Sequence, residues 1–221
     1  MARCANCNKW SLFTFPSEGL CPNCSNQFHF EWDQYIRILT ESVKLVNTSR
    51  KADTRLSRAK LVLEKVADMR ALAEQFGVLD YHGSALSSQK EEIEQKLQEI
   101  TTSEIEHLKD EAIKKSEMGT TLRGKTGPYA KYAEKIEKLE EYISDKSILI
   151  MEREWAKNQI RKLEVEELKK GAEKAAFKGD KKKAIDKYKD ALFHIKTDEI
   201  PDEQQANEIE KIESRIRELE A

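Results

Sequence analysis

Four cysteines in two closely spaced pairs constrain this chain more than any other feature of its sequence. Cys4 and Cys7 are separated by two residues, Cys21 and Cys24 repeat that spacing, and thirteen residues lie between the pairs. Four thiolates at this spacing can close around one soft or borderline cation, and four sulfur ligands favour the closed tetrahedron of structural zinc. The spacing therefore predicts one structural Zn²⁺ bound by these four cysteines. A four-sulfur iron centre is the main alternative, because it uses the same ligands.

Aromatic residues cluster around the cysteine pairs. Phe28, Phe30 and Trp32 alternate with polar residues, which is the period-two pattern of a half-buried strand. Residues 10–15 show a similar but less regular pattern, and residues 16–19 supply turn chemistry between the two. We therefore expect two short strands, with His29 pointing outward from the second strand instead of binding the metal.

The sequences CANC and CPNC, at residues 4–7 and 21–24, resemble the knuckles of zinc ribbons. The resemblance covers residues 3–32. It implies a small β module that the metal holds together, and the predicted zinc-ribbon domain spans residues 1–32.

The rest of the chain has the composition of long solvated helices. Charged residues make up 36% and hydrophobic residues 38%, with only 8 glycines and 4 prolines. The predicted fold class is mainly α, with a small N-terminal zinc ribbon and an elongated body of helical hairpins or coiled coil. The formal net charge of −2 gives no global attraction for nucleic acid or for anionic membranes. No apolar run approaches the roughly 18 residues of a membrane span, so we expect a cytoplasmic protein without a membrane partner.

A helical period of three to four residues begins after Trp32. The apolar positions of residues 33–77 predict two antiparallel helices, the second over 53–76, with Gly77 placed for a left-handed C-cap. Residues 77–88 read as a linker. Ser88 and Glu91 have the spacing of a capping box at the start of the next helix.

Residues 89–168 predict a long antiparallel helical hairpin. Its first helix ends near residue 118 and carries a narrow apolar stripe over 93–112, interrupted at 101–103. Pro128 is suited to the first turn of the second helix, which either continues to residue 170 or pauses near 144–147.

The C-terminal segment, 169–221, contains a pattern of small residues around a glycine turn. Ala172, Ala175 and Ala176 precede Gly179, and Ala184 and further apolar positions follow it. Residues 164–196 resemble one tetratricopeptide repeat (TPR), which implies a helix-turn-helix hairpin and a scaffold that binds proteins. A final helix over 201–219 can cap that hairpin or pair with another chain.

Residues 119–126 match the phosphate-binding loop pattern GxxxxGK[ST]. Such a loop needs a buried strand before it and an uninterrupted helix after it. A charged helical segment precedes Gly119, and Gly127 and Pro128 follow the motif. A hairpin loop is therefore the preferred interpretation, and nucleotide binding through Lys125 is a remote alternative.

Basic residues are concentrated between Lys157 and Lys189, where twelve lysines or arginines accompany six acidic residues. From Asp198 to the end, nine acidic residues accompany three basic ones. Two interpretations follow: a patch that contacts nucleic-acid phosphates, or a solvated helix face that the acidic terminal helix neutralises.

These features together predict a zinc-binding interaction or scaffold protein that is not an enzyme. The four histidines lie far apart in sequence, so no catalytic residue is nominated and no small-molecule substrate is expected. The expected partner is a protein or a second copy of the chain, which would dock on the apolar stripes of residues 93–112 and 206–219. Nucleic acid bound by residues 157–189 or by the zinc ribbon is the alternative.

Overall fold

The computed structural model describes residues 2–15, 18–78, 81–143, 145–197 and 200–220. Over these ranges the protein is mainly α, with seven α-helices and one two-stranded antiparallel sheet at the N-terminus, as predicted. The chain divides into two compact units. Unit 1 comprises residues 1–106 with 141–144, and unit 2 comprises residues 107–140 with 145–221.

The two strands are short, and the helices differ in length. The strands are β1 (Ala2–Arg3) and β2 (Trp10–Ser11), with Ala2 paired to Ser11 and Arg3 to Trp10. The helices are α1 (Pro22–Thr48), α2 (Ala52–Phe76), α3 (Gly83–Glu117), α4 (Leu122–Lys138), α5 (Ser147–Phe177), α6 (Lys181–Lys196) and α7 (Asp202–Glu220). A single 3-10 turn, Leu139–Glu141, follows α4.

In unit 1, α1 and α2 pack together as a hairpin. The Arg55 side chain donates a hydrogen bond to the carbonyl of Val46 across the turn between them. Gly77 ends α2 in the left-handed conformation with φ of 73°, as predicted. The buried positions of α2 recur mostly every three or four residues and form the core face of the hairpin: Leu56, Ala59, Val62, Val66, Met69, Leu72, Ala73 and Phe76.

The strand predicted from the alternation of Phe28, Phe30 and Trp32 is wrong, because these residues belong to α1. Phe28 and Trp32 are both buried, whereas Phe30 is 68% exposed. A spacing of four residues satisfies both a strand and a helix, so the two buried rings did not distinguish the alternatives. Pro22 at the first position of the helix marks its true start.

Helices α3 and α4 both begin earlier than predicted. Helix α3 starts at Gly83, inside the expected linker, and it continues through residues 101–103 without a break. Buried Thr101 is tolerated there because its hydroxyl donates to the carbonyl of Leu97 at 2.8 Å. Helix α4 starts at Leu122 and not at Pro128, which lies inside it.

Two further sequence predictions concern loops. The pause expected near 144–147 is present, since α5 begins at Ser147, although Ser144 lies outside the described residues. The turn expected over 16–19 is described only at Glu18 and Gly19, because Pro16 and Ser17 also lie outside those residues. Gly19 adopts a φ of 66°, a conformation that favours glycine.

In unit 2, α5 packs against both α4 and α6, and α6 packs against α7. Helices α5 and α6 form a hairpin around Gly179, whose φ is 80°. Buried alanines on both helices allow their backbones to approach closely. One core cluster joins the hairpin to α7: Val165, Ala172, Tyr188, Ala191, Ile195, Ile212 and Ile216.

A polar network lies within unit 2 where α3, α4 and α5 meet. The buried Tyr132 hydroxyl donates to Glu152 Oε2 at 2.7 Å, and Lys109 Nζ approaches the same carboxylate oxygen at 2.8 Å. Lys109 also lies 4.3 Å from the ring centroid of Trp155. Each polar atom thus has a partner, as burial requires.

Replacing Tyr132 by phenylalanine is expected to lower the free energy of unfolding by about 1.5–3 kcal/mol, because a hydrogen bond to a charged acceptor is lost. Burial, followed by the bond to Glu152, raises the pKa of the Tyr132 hydroxyl. The stabilisation is therefore complete below the ordinary tyrosine pKa of about 10 and is lost as the pH rises toward the raised value. Denaturant titrations of wild type and of Tyr132→Phe at neutral and alkaline pH measure the difference in the free energy of unfolding. Equal midpoints for both proteins at neutral pH would contradict it.

Candidate metal centre

The four cysteines come together at the start of unit 1, in a segment that we call the metal knuckle (residues 2–24). Cys4 follows β1, and Cys7 lies in the turn that leads to β2. Cys21 is the N-cap residue of α1, and Cys24 lies in the first turn of that helix. The turn after Cys7 closes because Asn8 adopts a positive φ of 58° and donates its backbone NH to the Cys4 carbonyl.

All four sulfur atoms lie within 4.8 Å of one another, and none of the cysteines forms a disulfide. The Cys7 and Cys21 sulfurs are 3.9 Å apart. A tetrahedral Zn²⁺ with Zn–S distances of about 2.3 Å requires sulfurs about 3.8 Å apart. The donor set and its spacing therefore fit one four-coordinate metal ion, as the sequence predicted.

Backbone NH groups shape the electrostatics of the cluster. The Cys21 NH lies 3.3 Å from the Cys4 sulfur and points to it. Burial by itself raises the pKa of the Cys4 thiol, but the NH groups of Cys21, Cys7 and Asn6 outweigh it and lower the pKa to about 6. Burial and the neighbouring sulfurs raise the pKa of Cys24 to about 12. The first proton therefore leaves the cluster readily and the last with difficulty, and a bound dication would replace these protons.

The metal knuckle contains one buried carboxylate, that of Glu18. The Glu18 side chain is 6% exposed, accepts a hydrogen bond from the Ser25 hydroxyl at 2.8 Å, and lies 2.7 Å from His29 Nε2. Because Ser25 follows Cys24, this network ties the loop before Cys21 to α1. His29 contacts Glu18 and lies outside the cysteine cluster. No sequence pattern indicated this network, since its members are contiguous only in space.

The knuckle also contacts the end of the α1–α2 hairpin. A Cβ atom built on Gly77, the C-cap of α2, would lie 3.4 Å from the Cβ of Ala5. Phe76, the residue before Gly77, packs its ring 5.5 Å from that of Phe28 in α1. The four-cysteine cluster therefore lies next to the helical core of unit 1.

The segment that matches the phosphate-loop pattern connects α3 to α4. Thr121 caps α4, with its hydroxyl oxygen accepting from the Gly124 NH at 3.1 Å and its carbonyl accepting from the Lys125 NH at 3.0 Å. A Cβ at Gly119 would lie 2.7 Å from the Gly124 backbone. Gly119 and Gly124 are therefore accounted for by the tightness of this turn. The same contacts use backbone NH groups that would be needed to bind a phosphate.

The candidate metal site is the four-cysteine cluster. Among the residues that the structure describes, this cluster alone brings together three or more metal-binding side chains. Within the same residues, no helix has the combination of length and apolar character needed to cross a lipid bilayer.

No family model, curated protein or solved structure matches the chain. The likeness to zinc ribbons and to a TPR hairpin therefore remains a prediction from the sequence.

Proposed function

We propose that this chain is a cytoplasmic, non-enzymatic interaction protein in which a structural zinc ion shapes a protein-docking loop. The observation that carries the proposal is the closed cluster of four reduced cysteines beside an exposed apolar loop. Four thiolates saturate a tetrahedral ion, so a reacting group has no open position on the metal. Reduced metal-binding thiols also suit the reducing cytosol.

The docking loop consists of residues 10–15, which include strand β2 (Trp10–Ser11) and the four residues after it. Its large apolar side chains are mostly exposed, and Phe13 reaches 76% exposure; the set is Trp10, Leu12, Phe13 and Phe15. The Arg3 guanidinium lies 5.2 Å from the centroid of the Trp10 ring. Concentrated exposed aromatic residues with an arginine are typical of sites where proteins bind each other.

The docking surface differs from the one expected from the sequence. The stripe of residues 93–112 is buried within the chain, including Ile93, Ile100 and Leu108. Ile212 and Ile216 of the terminal stripe belong to the core cluster of unit 2. Since these side chains already have partners, the loop of residues 10–15 is the better surface for a partner protein or a second copy.

Replacing Phe13 by aspartate is expected to abolish partner binding, because the charge enters an interface that must be desolvated. The matched control is Phe193→Asp, which changes a comparably exposed ring on α6. The measurement compares proteins retained from source lysate by wild type and by each variant, with light scattering over a concentration series to detect self-association. A monomeric wild type that retains the same proteins as Phe13→Asp would contradict the proposal.

A further inference from the structure

The strongest unassigned feature of unit 2 is a concentration of lysines at the turn between α5 and α6. We call residues 174–187 the basic tip; they include the end of α5, Gly179 and the start of α6. The tip has two acidic residues, Asp180 and Asp186. Its six lysines are Lys174, Lys178, Lys181, Lys182, Lys183 and Lys187.

The acidic terminal helix does not neutralise the basic tip. The ion pairs that α7 makes with α5 and α6 all involve lysines outside the tip: Lys169 with Glu208 at 2.7 Å, Lys189 with Glu220 at 3.5 Å and Lys196 with Glu213 at 2.9 Å. None of the six tip lysines forms an ion pair with any residue that the structure describes. The sequence interpretation of a neutralised face therefore fails at the tip.

Three of these lysines occupy an unfavourable position. Lys181, Lys182 and Lys183 form the first turn of α6, which contains no acidic residue. The N-terminus of a helix carries partial positive charge, so cations there are destabilising. The Asp180 side chain accepts from the Lys183 NH and caps the helix, which offsets only part of this repulsion. A bound anion would offset the remaining repulsion between these lysines and the positive end of the α6 dipole.

An exposed aromatic ring lies among charged side chains at the end of α5, where Phe177 shares a surface depression with Lys174, Lys178 and the acidic Glu173. Phe177, the last residue of α5, is 94% exposed. Lys174 precedes it by three residues, and Lys178 follows it directly. A ring so exposed contributes almost nothing to the core, whereas its faces are free to stack on a planar ligand group.

We propose that the basic tip binds single-stranded nucleic acid, with phosphates held by the lysines and an unpaired base stacked on Phe177. Lysine ammonium groups act as point charges for phosphate, and aromatic rings beside a basic groove stack bases with little sequence preference. Other anionic ligands fit this surface less well. The bases of a duplex are stacked on each other and cannot stack on Phe177, and an acidic polypeptide has no bases. A single phenylalanine contributes too little apolar surface to anchor the chain to a membrane. The proposal goes beyond the docking function, because every residue involved belongs to unit 2, whereas the metal knuckle belongs to unit 1.

The test measures binding of the full, metal-loaded chain to a labelled thymidine oligomer of about 20 nucleotides by fluorescence anisotropy. Binding at roughly 50 mM salt is expected, with a slope of log affinity against log salt of about −4, because six lysines displace counterions from a single strand. A duplex of the same length, poly-glutamate and phosphatidylserine vesicles are measured in parallel, and each is expected to bind more weakly.

Two charge variants separate the tip from the rest of the hairpin. In K181Q/K182Q/K183Q the slope is expected to fall in magnitude by about 2, while α6 is not destabilised because cations leave its N-terminus. The control K169Q/K189Q/K196Q removes the same charge from lysines that α7 already pairs, and its slope is expected to stay unchanged. Phe177→Ala is expected to weaken oligomer binding about 5- to 150-fold without changing the weak binding of poly-glutamate.

Each of three results would overturn the proposal. The first is absence of oligomer binding, and the second is an equal fall of the salt slope in the two charge variants. The third is tighter binding to duplex, poly-glutamate or vesicles than to the oligomer. Cys21→Ser is expected to keep oligomer affinity, so a failure of the metal-dependent docking function is distinguishable from a failure of this proposal.

Discussion

Replacing Cys21 by serine is expected to eliminate tight metal binding and to unfold the metal knuckle, while most of the helical circular dichroism remains. A serine hydroxyl is a poor substitute for a thiolate ligand of zinc. Metal binding supplies about 10–16 kcal/mol of apparent folding free energy in small zinc modules, which is far more than a segment of this size gains from its own core. The loss stays local because the buried faces of α1 and α2 pack on each other.

The measurement is elemental analysis of the purified protein together with circular dichroism. Wild type should contain one zinc per chain. Asn6→Ser is the matched control, because Asn6 lies in the same knuckle and is exposed, and only its backbone NH acts on Cys4. Stoichiometric iron in the wild type, or oxidised cysteines without metal, would contradict the zinc assignment.

Replacing Phe28 by alanine is expected to lower the free energy of unfolding by about 3–5 kcal/mol. The Phe28 side chain is fully buried and its ring centroid lies 5.2 Å from Trp32, 5.5 Å from Phe76 and 5.2 Å from Tyr81. Removing it opens a cavity and deletes three aromatic contacts at once. Denaturant unfolding followed by tryptophan fluorescence measures the change, because Trp32 lies in the same cluster.

Phe30→Ala is the matched control, since it deletes the same ring from a mostly exposed position two residues away. A change within about 0.5 kcal/mol is expected for this variant. The pair of variants also tests the helix directly. In a strand with alternating faces, Phe28 and Phe30 would share one environment, so equal destabilisation by both would contradict the helical assignment of α1.

Sequence patterns predicted elements well where a long period and its end signals agreed. Helix α2 is the clearest case, because seven periodic apolar positions lead into a glycine that ends the helix. The short run of Phe28, Phe30 and Trp32 was ambiguous, since both periods place its first and last members on one face. Pro128 misled because proline is commonest in the first turn of a helix, whereas α4 begins at Leu122 after the capping residue Thr121 and contains Pro128 in its interior.

The sequence by itself determined the candidate metal-binding cysteines and the mainly helical class. Both depend on short-range spacing: two residues between paired thiols, and three to four between apolar side chains. Only the tertiary structure decided which charges meet. The burial of Glu18 against Ser25 and His29, and the pairing of α7 with Lys169, Lys189 and Lys196, depend on how distant segments pack. Coulomb interactions and desolvation act through space, so a count of charges along the chain cannot show that the basic tip makes no ion pair with the residues that the structure describes.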